Sequence, residues 1–572
     1  MGLLYATMAP CKKSMGSSPS STGSGMNQTA IELPRKLKFA RQALDDMRTK
    51  PWILIFAALF TAQGLPHCGG CLAQSFPNVR ISDPSLRYPE EVSIAVNPKN
   101  PNQLAAGANI NYLFTSSDGG MDWNWRQLSS QYGVWGDPNL MFDDSGVLYY
   151  EHLSGHNWSD SEFLWRIVVQ RSGDAGMSFD SGEQIGLYPP TMQDKAWLGL
   201  DRSQTSSNGT IFTSWNEDDK YGSRLPSDSS RIFFSQSTDR GLTWSSRVRV
   251  DDWGGDCIDS SGTVEGAVTT AGTNGDVYIV WSGHNKIFFD CSTDRGLSFG
   301  KDRAIADQPG GWDFVVPGIF RANGFPMIAS DLNPTSPFYG RLYVTWSDQR
   351  RGVTDVYSIY STDNGSTWSN PLQVNNDSAM NHHFFPSMAV DPETGHVFIV
   401  FYDRRNYLDS ETDVYLARST DGGQSFDNTR ISQSAFGPDS GIFFGDYIHI
   451  AAYNHHVYPI WMRMDDSVMS VWTALVLDTG GAPPSNYASK SAGIWTTGSP
   501  AEPGITFTTA ESGLAEIELY DLLGRRVATL INGTYGAGEC HFGLPENIAN
   551  GGYMAKLRSN GQQWVTKVFV DR

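Results

Sequence analysis

The sequence predicts an all-β fold built from repeated antiparallel sheets. Its 572 residues contain six copies of one pattern, Ser-x-Asp-x-Gly-x-Ser/Thr-Trp/Phe, with Asp122 in the Ser/Thr place of the first copy. The copies begin at residues 116, 172, 237, 292, 361 and 419. Strong β-formers that follow a glycine, as in residues 275–281 and 340–346, recur between the copies. A repeat of this length made of short strands is typical of a β-propeller.

Each copy of the pattern predicts a tight turn. The aspartate accepts backbone N–H bonds, the glycine supplies a positive φ, and the final aromatic residue packs between neighbouring sheets. The pattern resembles the Asp box, or BNR repeat, of sialidases and many other β-propellers. We therefore assign a structural role to the six Asp-box aspartates, which are Asp118, Asp174, Asp239, Asp294, Asp363 and Asp421.

The segments around the Asp boxes predict seven blades within residues 76–478. The expected inner strands are residues 92–96, 139–142, 196–200, 267–270, 327–330, 387–390 and 447–451. The seventh blade has no Asp box. Residues 78–82 (NVRIS) are similar in sequence to residues 428–432 (NTRIS), the expected outer strand of the sixth blade. We therefore expect residues 78–82 to form the outer strand of the seventh blade and close the ring. Sialidases have six blades, and six blades with an additional hairpin are the alternative.

The N-terminal region predicts a leader that ends in a secretory signal peptide. Residues 47–50 are basic, residues 52–62 form an apolar h-region, and residues 71–73 end in small side chains. We expect residues 1–73 to be a disordered leader plus signal peptide, with a short anchored helix as the alternative. No apolar run reaches the roughly 18 to 20 residues of a membrane span, so we expect no transmembrane segment in the mature form.

The C-terminal residues predict a separate module. Residues 479–504 are rich in Gly, Pro and Ser and are expected to be a linker, and residues 505–572 are expected to form a small β-sandwich. Residues 519–527, 536–539, 551–553 and 567–570 resemble the sorting domain of the type IX secretion system of Gram-negative bacteria. The resemblance implies the type IX machinery as a partner and a secreted or cell-surface location. An immunoglobulin-like module without an export role is the alternative.

Composition limits the partners and cofactors. The formal net charge of −19 argues against nucleic acid and anionic membranes. No His/Cys spacing suggests zinc and no Gly-rich loop suggests phosphate, so we expect no metal or cofactor. We also expect the protein to be a monomer. Calcium in the loop of Asp403, Asp409, Glu411 and Asp413 is the alternative.

The face opposite the Asp boxes is the expected functional site. The boxes are turns between the third and fourth strands of a blade, so the links between blades lie at the other end. Charged residues begin the inner strands there: Glu90, Glu91, Asp137, Asp194, Lys195, Glu265, His382, His383 and Asp446. Converging acids and arginines suit an anionic or hydroxyl-rich sugar. Ion pairs of Asp403 with Arg404 and of Asp348 with Arg350 are the structural alternative.

The resemblance to sialidases implies particular roles. Sialidases clamp a substrate carboxylate with three arginines, and use a Tyr nucleophile with a Glu and an Asp acid/base. Arg87-Tyr88-Pro89 lies where sialidases have Arg-Ile-Pro. The catalytic candidates are Tyr447 or Tyr402 as nucleophile, Glu265 or Glu217 as its base, and Asp137 as acid/base. The substrate-binding candidates are Arg87, Arg350, Asp403, Arg404, Arg405 and Asp446.

Segments 401–405 and 444–447 resemble those of exported BNR-repeat proteins of the sialidase-like group. This implies an exported glycan-acting glycoside hydrolase, with an exo-α-sialidase type of reaction at the face opposite the boxes. A non-catalytic cell-surface propeller that binds glycan or protein is the alternative, because one scaffold serves both.

Overall fold

The structure is a computed structural model that describes residues 76–155, 164–378, 380–478, 493–498, 503–509, 513–535, 538–545, 548–559 and 562–570. The leader expected at residues 1–73 lies outside these ranges. The described residues form strands, bridges and turns, and they contain no helix. Accordingly, no helix in these ranges could cross a membrane. The predicted all-β class is confirmed.

Strand β1 (Asn78–Arg80) is followed by six four-stranded antiparallel sheets, each in simple up-and-down order. Sheet 1 has β2 (Ser93–Val96), β3 (Leu104–Ala108), β4 (Tyr112–Ser116) and β5 (Asn124–Gln127). Sheet 2 has β6 (Gly136–Phe142), β7 (Leu148–Ser154), β8 (Arg166–Ser172) and β9 (Glu183–Ile185). Sheet 3 has β10 (Met192–Leu200), β11 (Ile211–Asp218), β12 (Ser230–Ser237) and β13 (Val248–Arg249). Sheet 4 has β14 (Glu265–Ala271), β15 (Val277–Gly283), β16 (Lys286–Ser292) and β17 (Arg303–Asp307).

A two-stranded hairpin, β18 (Asp313–Phe314) and β19 (Ala322–Asn323), links sheets 4 and 5. Sheet 5 has β20 (Met327–Ser330), β21 (Leu342–Asp348), β22 (Asp355–Ser361) and β23 (Leu372–Gln373). Sheet 6 has β24 (His383–Val390), β25 (Val397–Asp403), β26 (Asp413–Ser419) and β27 (Asp427–Arg430). Sheet 7 has β28 (His449–Tyr453), β29 (His456–Asp465), β30 (Val468–Ala474) and β1, with β31 (Val476–Leu477) also paired to β29.

The N-terminal strand completes sheet 7. Strand β1 is antiparallel to β30, with Asn78 opposite Ala474 and Arg80 opposite Trp472, as the sequence predicts. The first strand of each sheet contacts the first strand of the next, and β28 of sheet 7 contacts β2 of sheet 1. The described part of residues 76–478 therefore forms a closed cycle of seven sheets around a common axis.

Large apolar side chains on the second strands fill the space between sheets. Trp215, Trp281, Trp346, Phe401 and Trp461 occupy β11, β15, β21, β25 and β29, and all are essentially inaccessible to solvent. A strand that is buried on both faces can consist of consecutive apolar residues, because neither face meets solvent. This explains the runs of β-forming residues between the Asp boxes.

The Asp boxes fold as the predicted turns. In the second box, Ser172 Oγ donates to Asp174 Oδ1 at 2.6 Å and the Ser178 amide donates to the same oxygen at 2.8 Å. Gly176 has a φ of 91°. These hydrogen bonds, with that of Ser172 the largest cause, lower the pKa of Asp174 to about 2. The box aspartates thus hold turns together.

The C-terminal residues form two further sheets. One contains β32 (Gly493–Gly498), β33 (Pro503–Thr509) and β36 (Gly538–Gly543). The other contains β34 (Gly513–Asp521), β35 (Arg526–Tyr535), β37 (Gly551–Ser559) and β38 (Gln562–Val570). Ile505, Phe507, Ile517 and Leu557 belong to their buried apolar core. Strand β32 lies inside residues 479–504, where a linker was predicted, so this module begins earlier than expected.

Candidate functional site

Unusual backbone at the starts of the inner strands sets the geometry of the site. The register of β6, β10, β14 and β24 shifts at a bulge near the first residues of each strand. Asp137, Lys195 and Phe385 lie at three of these bulges with φ of 49°, 45° and 53°, and Gly266 lies at the fourth. Glu91, just before β2, has a φ of 53°. Non-glycine residues rarely adopt this conformation, and such strain collects at functional sites.

Lys195 joins four sheets across the axis. Its Nζ lies 3.1 Å from Glu91 Oε1, 3.0 Å from Asp137 Oδ2 and 2.8 Å from Asp446 Oδ2. Lys195 lies in β10, the first strand of sheet 3. Its partner Asp137 lies in the first strand of sheet 2, and Glu91 and Asp446 precede sheets 1 and 7. Burial alone would lower the pKa of Lys195, but Asp137, Asp446 and Glu91 raise it well above its ordinary value.

Arg321 supplies the second cation. Its Nε donates to Asp446 Oδ1 at 2.9 Å, its Nη2 bonds Asp446 Oδ2, and its Nη1 donates to Asp259 Oδ2 at 2.7 Å. Tyr221 donates its hydroxyl to the same Asp259 oxygen at 2.6 Å. Arg321 lies in the hairpin link before sheet 5 and Asp259 in the link before sheet 4. Links between blades thus contribute to the site as much as the strands do.

Amides fix the orientation of the carboxylates. Asn109 Nδ2 donates to Glu91 Oε2, and Asn109 Oδ1 accepts the backbone amide of Asp137 at 2.7 Å. Asn323 Nδ2 donates to the backbone carbonyl of Asp446 at 2.8 Å. We call the assembly the central charge cluster. It consists of Glu91, Asp137, Lys195, Asp259, Arg321 and Asp446.

The pKa values of two carboxyl groups in the central charge cluster are shifted in opposite directions. Burial first, and then Asp137, raise the pKa of Glu91 well above its ordinary value. Burial also opposes ionisation of Asp446, but Arg321 and Lys195 hold its pKa well below the usual range. Groups of one chemical type with opposed pKa shifts are what acid/base chemistry requires.

Four more buried acids surround the cluster. Burial, followed by the charge of Asp259, raises the pKa of Glu265 well above its usual value. Burial raises the pKa of Asp194 to about 7, although Lys195 opposes this, and raises the pKa of Glu90 and of Asp218 to about 8. Burial is therefore the largest cause of a raised pKa in all four of these carboxyl groups.

The cluster reaches solvent at Arg321 and Asp259, whose side chains are 26% and 18% exposed. The Arg321 guanidinium lies 5.2 Å from the ring centre of Phe443, and Phe320 beside it is half exposed. Aromatic and polar surfaces next to each other suit a ligand with both apolar and hydroxyl faces.

Some predicted site residues meet at the cluster. Asp137 and Asp446 belong to it, and Glu265 and Tyr447 are electrostatically coupled to its members. The Tyr447 ring centre lies 5.9 Å from Lys195 Nζ. Burial and the charge of Asp137 raise the Tyr447 pKa well above its ordinary value. A tyrosine in this environment is held in its neutral form.

The predicted arginines are not brought together. Arg350 Nε donates to Asp348 Oδ1 at 2.9 Å, and Arg405 Nη2 lies 2.6 Å from Asp403 Oδ2, so both form ion pairs within their own loops. Arg404 is buried, and its Nε donates to Thr412 Oγ1 at 3.0 Å. Its Nη1 donates to the carbonyl of Pro317. Asp403 pairs with Arg405, not with Arg404 as the structural alternative supposed.

Three further candidates lie apart from the cluster in their contacts. Arg87 is exposed, and its carbonyl accepts the Tyr112 hydroxyl at 3.2 Å. Tyr402 is fully buried and donates its hydroxyl to the carbonyl of Met462 at 2.7 Å. Glu217 is buried and bonds Arg247 and Gln193. The side chains of Tyr402 and Glu217 therefore have partners elsewhere in the propeller, whereas Arg87 bonds Tyr112 through its backbone.

Sequence reasoning missed Arg321 and Asp259. Both lie in the links between sheets, where the sequence has no repeated pattern that would identify equivalent positions. Glu91 and Lys195 were recognised as starts of inner strands but were given no role. Glu91 lies two residues before Ser93, the first paired residue of β2. Lys195 and Asp137 lie two residues before Trp197 and Asn139, where pairing resumes after the bulges of β10 and β6, and this shared position is the signal that could have singled them out.

One group of residues is compact enough to hold a metal ion within the described ranges: Asp377, His383 and Asp403. His383 Nε2 lies 3.0 Å from Asp377 Oδ2, and its Nδ1 lies 3.3 Å from Asp355 Oδ1. Burial disfavours the charged ring, but Asp355 and Asp377 raise the His383 pKa to about 9. A protonated His383 and the neighbouring Arg405 already neutralise these carboxylates. In the loop where calcium was the alternative, the Asp413 carboxylate forms an ion pair with Arg430, with Oδ1 and Nε 2.8 Å apart.

The fold and the central charge cluster define the class of this protein. It is an all-β propeller whose charged residues converge on the axis at the end opposite the Asp boxes. No protein-family model and no curated protein matches the chain.

Several solved structures show a distant similarity. An ulvan lyase, a polysaccharide lyase bound to a sugar, is 12% identical over 70% of this chain and 96% of its own, with a TM-score of 0.40. The NanB sialidase from Streptococcus pneumoniae is 10% identical over 67% and 82%, with a TM-score of 0.38. A protein of unknown function from Dyadobacter fermentans is 14% identical over 58% and 94%, with a TM-score of 0.39. Similarities this distant say nothing about a reaction in this chain.

Proposed function

We propose that this protein is a glycan-acting glycoside hydrolase whose site is the central charge cluster with its surrounding acids. The observation that carries the proposal is the convergence of buried carboxyl groups on Lys195 and Arg321 at one end of the axis. Arg321 and Lys195 lower the pKa of Asp446, while burial and Asp259 raise the pKa of Glu265. Glycoside hydrolysis uses one carboxylic acid to protonate the leaving oxygen and one carboxylate on the other side of the sugar.

Glu265 is the proposed general acid. Its proton passes to the glycosidic oxygen as the bond to the sugar breaks. Water supplies the hydroxyl that replaces the leaving group, and the remaining proton of that water passes to the second carboxylate. Asp259 is the proposed second carboxylate, because it is the more exposed acid beside Arg321. Arg321 and Tyr221 orient Asp259. The Asp446 carboxylate stabilises the positive charge that develops on the sugar, and Lys195 holds Asp446 in place.

An exo-α-sialidase type of reaction is the narrower form of this proposal. It requires several arginines with free donors facing a sugar carboxylate. Arg350 and Arg405, which the sequence suggested for this role, are paired with Asp348 and Asp403. The support therefore favours a carboxylate-based hydrolase over the arginine clamp of sialidases.

A non-catalytic glycan-binding propeller is the second candidate. One specific observation favours it: Lys195 is paired with three carboxylates and Arg321 with two. Such complete pairing is also expected of a charge cluster with a purely structural role. In that case the cluster closes the propeller axis, and a ligand would bind at the open end of the axis.

Turnover separates the two candidates. We would measure release of reducing sugar from neutral, amine-bearing, sialylated and uronate-containing glycans with the wild type, Glu265→Gln and Asp259→Asn. A hydrolase predicts turnover of at least one glycan and a loss of 100-fold or more in kcat, on the order expected for general acid/base groups. Glu183→Gln, in exposed outer strand β9, is the matched control. Binding without turnover of any glycan would favour the binding propeller.

We also propose export through the type IX secretion system by the C-terminal module. The support is the sequence resemblance of residues 519–570, together with the two-sheet core of Ile505, Ile517 and Leu557. The proposed location is the medium or the cell surface of a Gram-negative bacterium.

A further inference from the structure

Four inner strands of the propeller are followed by the same kind of turn. An aspartate comes directly after the first strand of sheets 2, 3, 5 and 6, and these residues are Asp143, Asp201, Asp331 and Asp391. The Oδ1 atom of each accepts the backbone amide two residues later, at 2.8, 2.7, 3.0 and 2.9 Å. These turns join the first and second strands of a sheet, so they lie at the Asp-box end of the propeller, away from the central charge cluster.

Asp201 differs from the other three aspartates in its second oxygen. In the turns of sheets 2, 5 and 6, the Oδ2 atom accepts a hydrogen bond from the Tyr149 hydroxyl, the Ser336 hydroxyl and the His455 amide, respectively. Asp201 is fully buried, but its Oδ2 has no hydrogen-bond partner in the described part of the chain. Buried polar atoms are almost always bonded, so this oxygen indicates a ligand.

Three hydroxyl groups line the same turn. Ser203 Oγ lies 2.8 Å from Thr205 Oγ1, which lies 2.7 Å from Ser207 Oγ. Ser203 and Ser207 are buried and Thr205 is half-buried, whereas the residues at 204, 206 and 208 are exposed. The hydroxyl groups therefore lie directly beneath the exposed surface of the turn.

Gly275, in the corresponding turn of sheet 4, shows that these oxygens converge. Its φ is 80°. Apart from its chain neighbours, the nearest atoms to the place where a Cβ would lie are three oxygens: Ser207 Oγ at 2.5 Å, Thr205 Oγ1 at 3.0 Å and Asp201 Oδ2 at 3.7 Å. The unpartnered carboxylate oxygen thus faces the same space as the hydroxyl groups, between the turns of sheets 3 and 4.

This set of donors suits calcium. Calcium takes carboxylate and neutral oxygen ligands in flexible geometry, whereas magnesium requires a nearly ideal octahedron. A hydroxyl oxygen that donates its proton to a neighbouring hydroxyl keeps lone pairs for a cation. Arg202, next to Asp201 in the sequence, forms an ion pair with Asp144, with Nε and Oδ1 2.9 Å apart. The charge of Asp201 is therefore left for another cation.

We propose that Asp201 Oδ2, Thr205 Oγ1 and Ser207 Oγ bind a calcium ion between sheets 3 and 4, with water completing its coordination. Hydroxyl groups accompany a single carboxylate here, unlike the group of Asp377, His383 and Asp403. With one carboxylate ligand, the dissociation constant should be about 10⁻⁴ to 10⁻³ M, as in extracellular calcium modules. The site is independent of the proposed hydrolase, because it lies at the other end of the propeller.

The test is thermal unfolding of the full chain after removal of divalent ions with EDTA. The probes are calcium chloride and magnesium chloride, each raised to about 10 mM, with sodium chloride added to equal ionic strength as the baseline. A ligand that binds the folded state raises the unfolding temperature, so we expect a saturable rise with calcium and an apparent affinity for magnesium at least about tenfold weaker. No rise above the sodium baseline, or an equal response to magnesium, would overturn the proposal.

Variants assign the calcium response to this turn. The isosteric Asp201→Asn and Thr205→Val should each weaken the apparent calcium affinity about tenfold or more, because each removes a proposed ligand. Asp331→Asn is the matched control, since Asp331 occupies the same turn position in sheet 5 with both oxygens already bonded, and it should keep the response. Thr205→Val decides the matter if Asp201→Asn does not fold. An unchanged calcium response in the folded variants, or an equal loss in Asp331→Asn, would refute the assignment.

Discussion

Lys195 and Asp446 join sheets that are not neighbours in the ring. Their Nζ and Oδ2 atoms lie 2.8 Å apart, although Lys195 lies in the first strand of sheet 3 and Asp446 precedes sheet 7. Both side chains are almost fully buried. A contact of this kind passes across the axis, so the pair ties together parts of the propeller that the strand ladders do not connect.

Replacing Lys195 should destabilise the protein strongly. Lys195→Met leaves Glu91, Asp137 and Asp446 without their shared cation, and loss of one partner of a buried pair costs about 3–5 kcal/mol in free energy of unfolding. The loss should shrink between pH 8 and pH 5, because the orphaned carboxylates become protonated. Urea unfolding at both pH values measures it.

Lys286→Met is the matched control for that experiment. Lys286 and Asp307 form an exposed pair at 2.6 Å, and such pairs contribute under about 1 kcal/mol. Similar losses for the two lysine variants, with no dependence on pH, would contradict the role given to Lys195.

Glu151 should stabilise the fold only in its protonated form. It is fully buried, accepts the Thr213 hydroxyl at 2.6 Å, and burial raises its pKa to about 8. A raised carboxyl pKa gives stability that is complete below the unfolded pKa and is lost as the pH rises towards 8. Glu151→Gln should therefore gain stability relative to the wild type between pH 5 and pH 8, by up to about 1.4 kcal/mol per pH unit.

Urea unfolding across this pH range measures the Glu151 effect. A variant that differs from the wild type by the same amount at pH 5 and pH 8 would show that Glu151 is ionised in the folded state throughout.

The contribution of His383 to the free energy of unfolding should fall as the pH rises into the alkaline range. Asp355 and Asp377 raise its pKa from 6.5 to about 9 against the effect of burial. The stability that the protonated ring contributes is complete below pH 6.5 and is lost as the pH rises through 9. His383→Gln should therefore be most destabilised, relative to the wild type, at pH 6.5 and least at pH 9.5.

Thermal unfolding at these two pH values tests the His383 prediction. His284→Gln, a substitution of an exposed histidine, is the control and should show no such difference. A His383 variant with equal losses at both pH values would mean that the ring is neutral in the folded protein.

Removal of the C-terminal module should block export and leave the propeller folded. In a Gram-negative host with a type IX secretion system, a chain ending at residue 478 should accumulate in the periplasm, whereas the full chain should reach the medium or cell surface. Cell fractionation with immunoblotting measures this. Equal export of both chains would contradict the sorting role.

The repeat made most of the propeller predictable. Asp boxes mark the turn after the third strand, and the similarity of residues 78–82 to 428–432 predicted that β1 would pair with β30. The site was less predictable, because it depends on non-repeated residues. Arg321 and Asp259 come from links of irregular length, and the positive φ of Lys195 has no marker in its residue type.

Two of the predicted arginines, Arg350 and Arg405, form ion pairs within their own loops for a local reason. Asp348 and Arg350, and likewise Asp403 and Arg405, are two residues apart at the end of a strand, which lets each arginine fold back onto its own aspartate. Sequence alone does not distinguish such local pairs from side chains that face the axis.

A structure of the Glu265→Gln variant with a bound oligosaccharide tests the central claim most directly. The measurement is the position of the sugar in the electron density. We predict a sugar within hydrogen-bond distance of Asp259 and in contact with Phe443 or Tyr447, at the end of the axis opposite the Asp boxes. A sugar bound only on the Asp-box face, or density only outside the propeller, would contradict the assignment of the central charge cluster as the functional site.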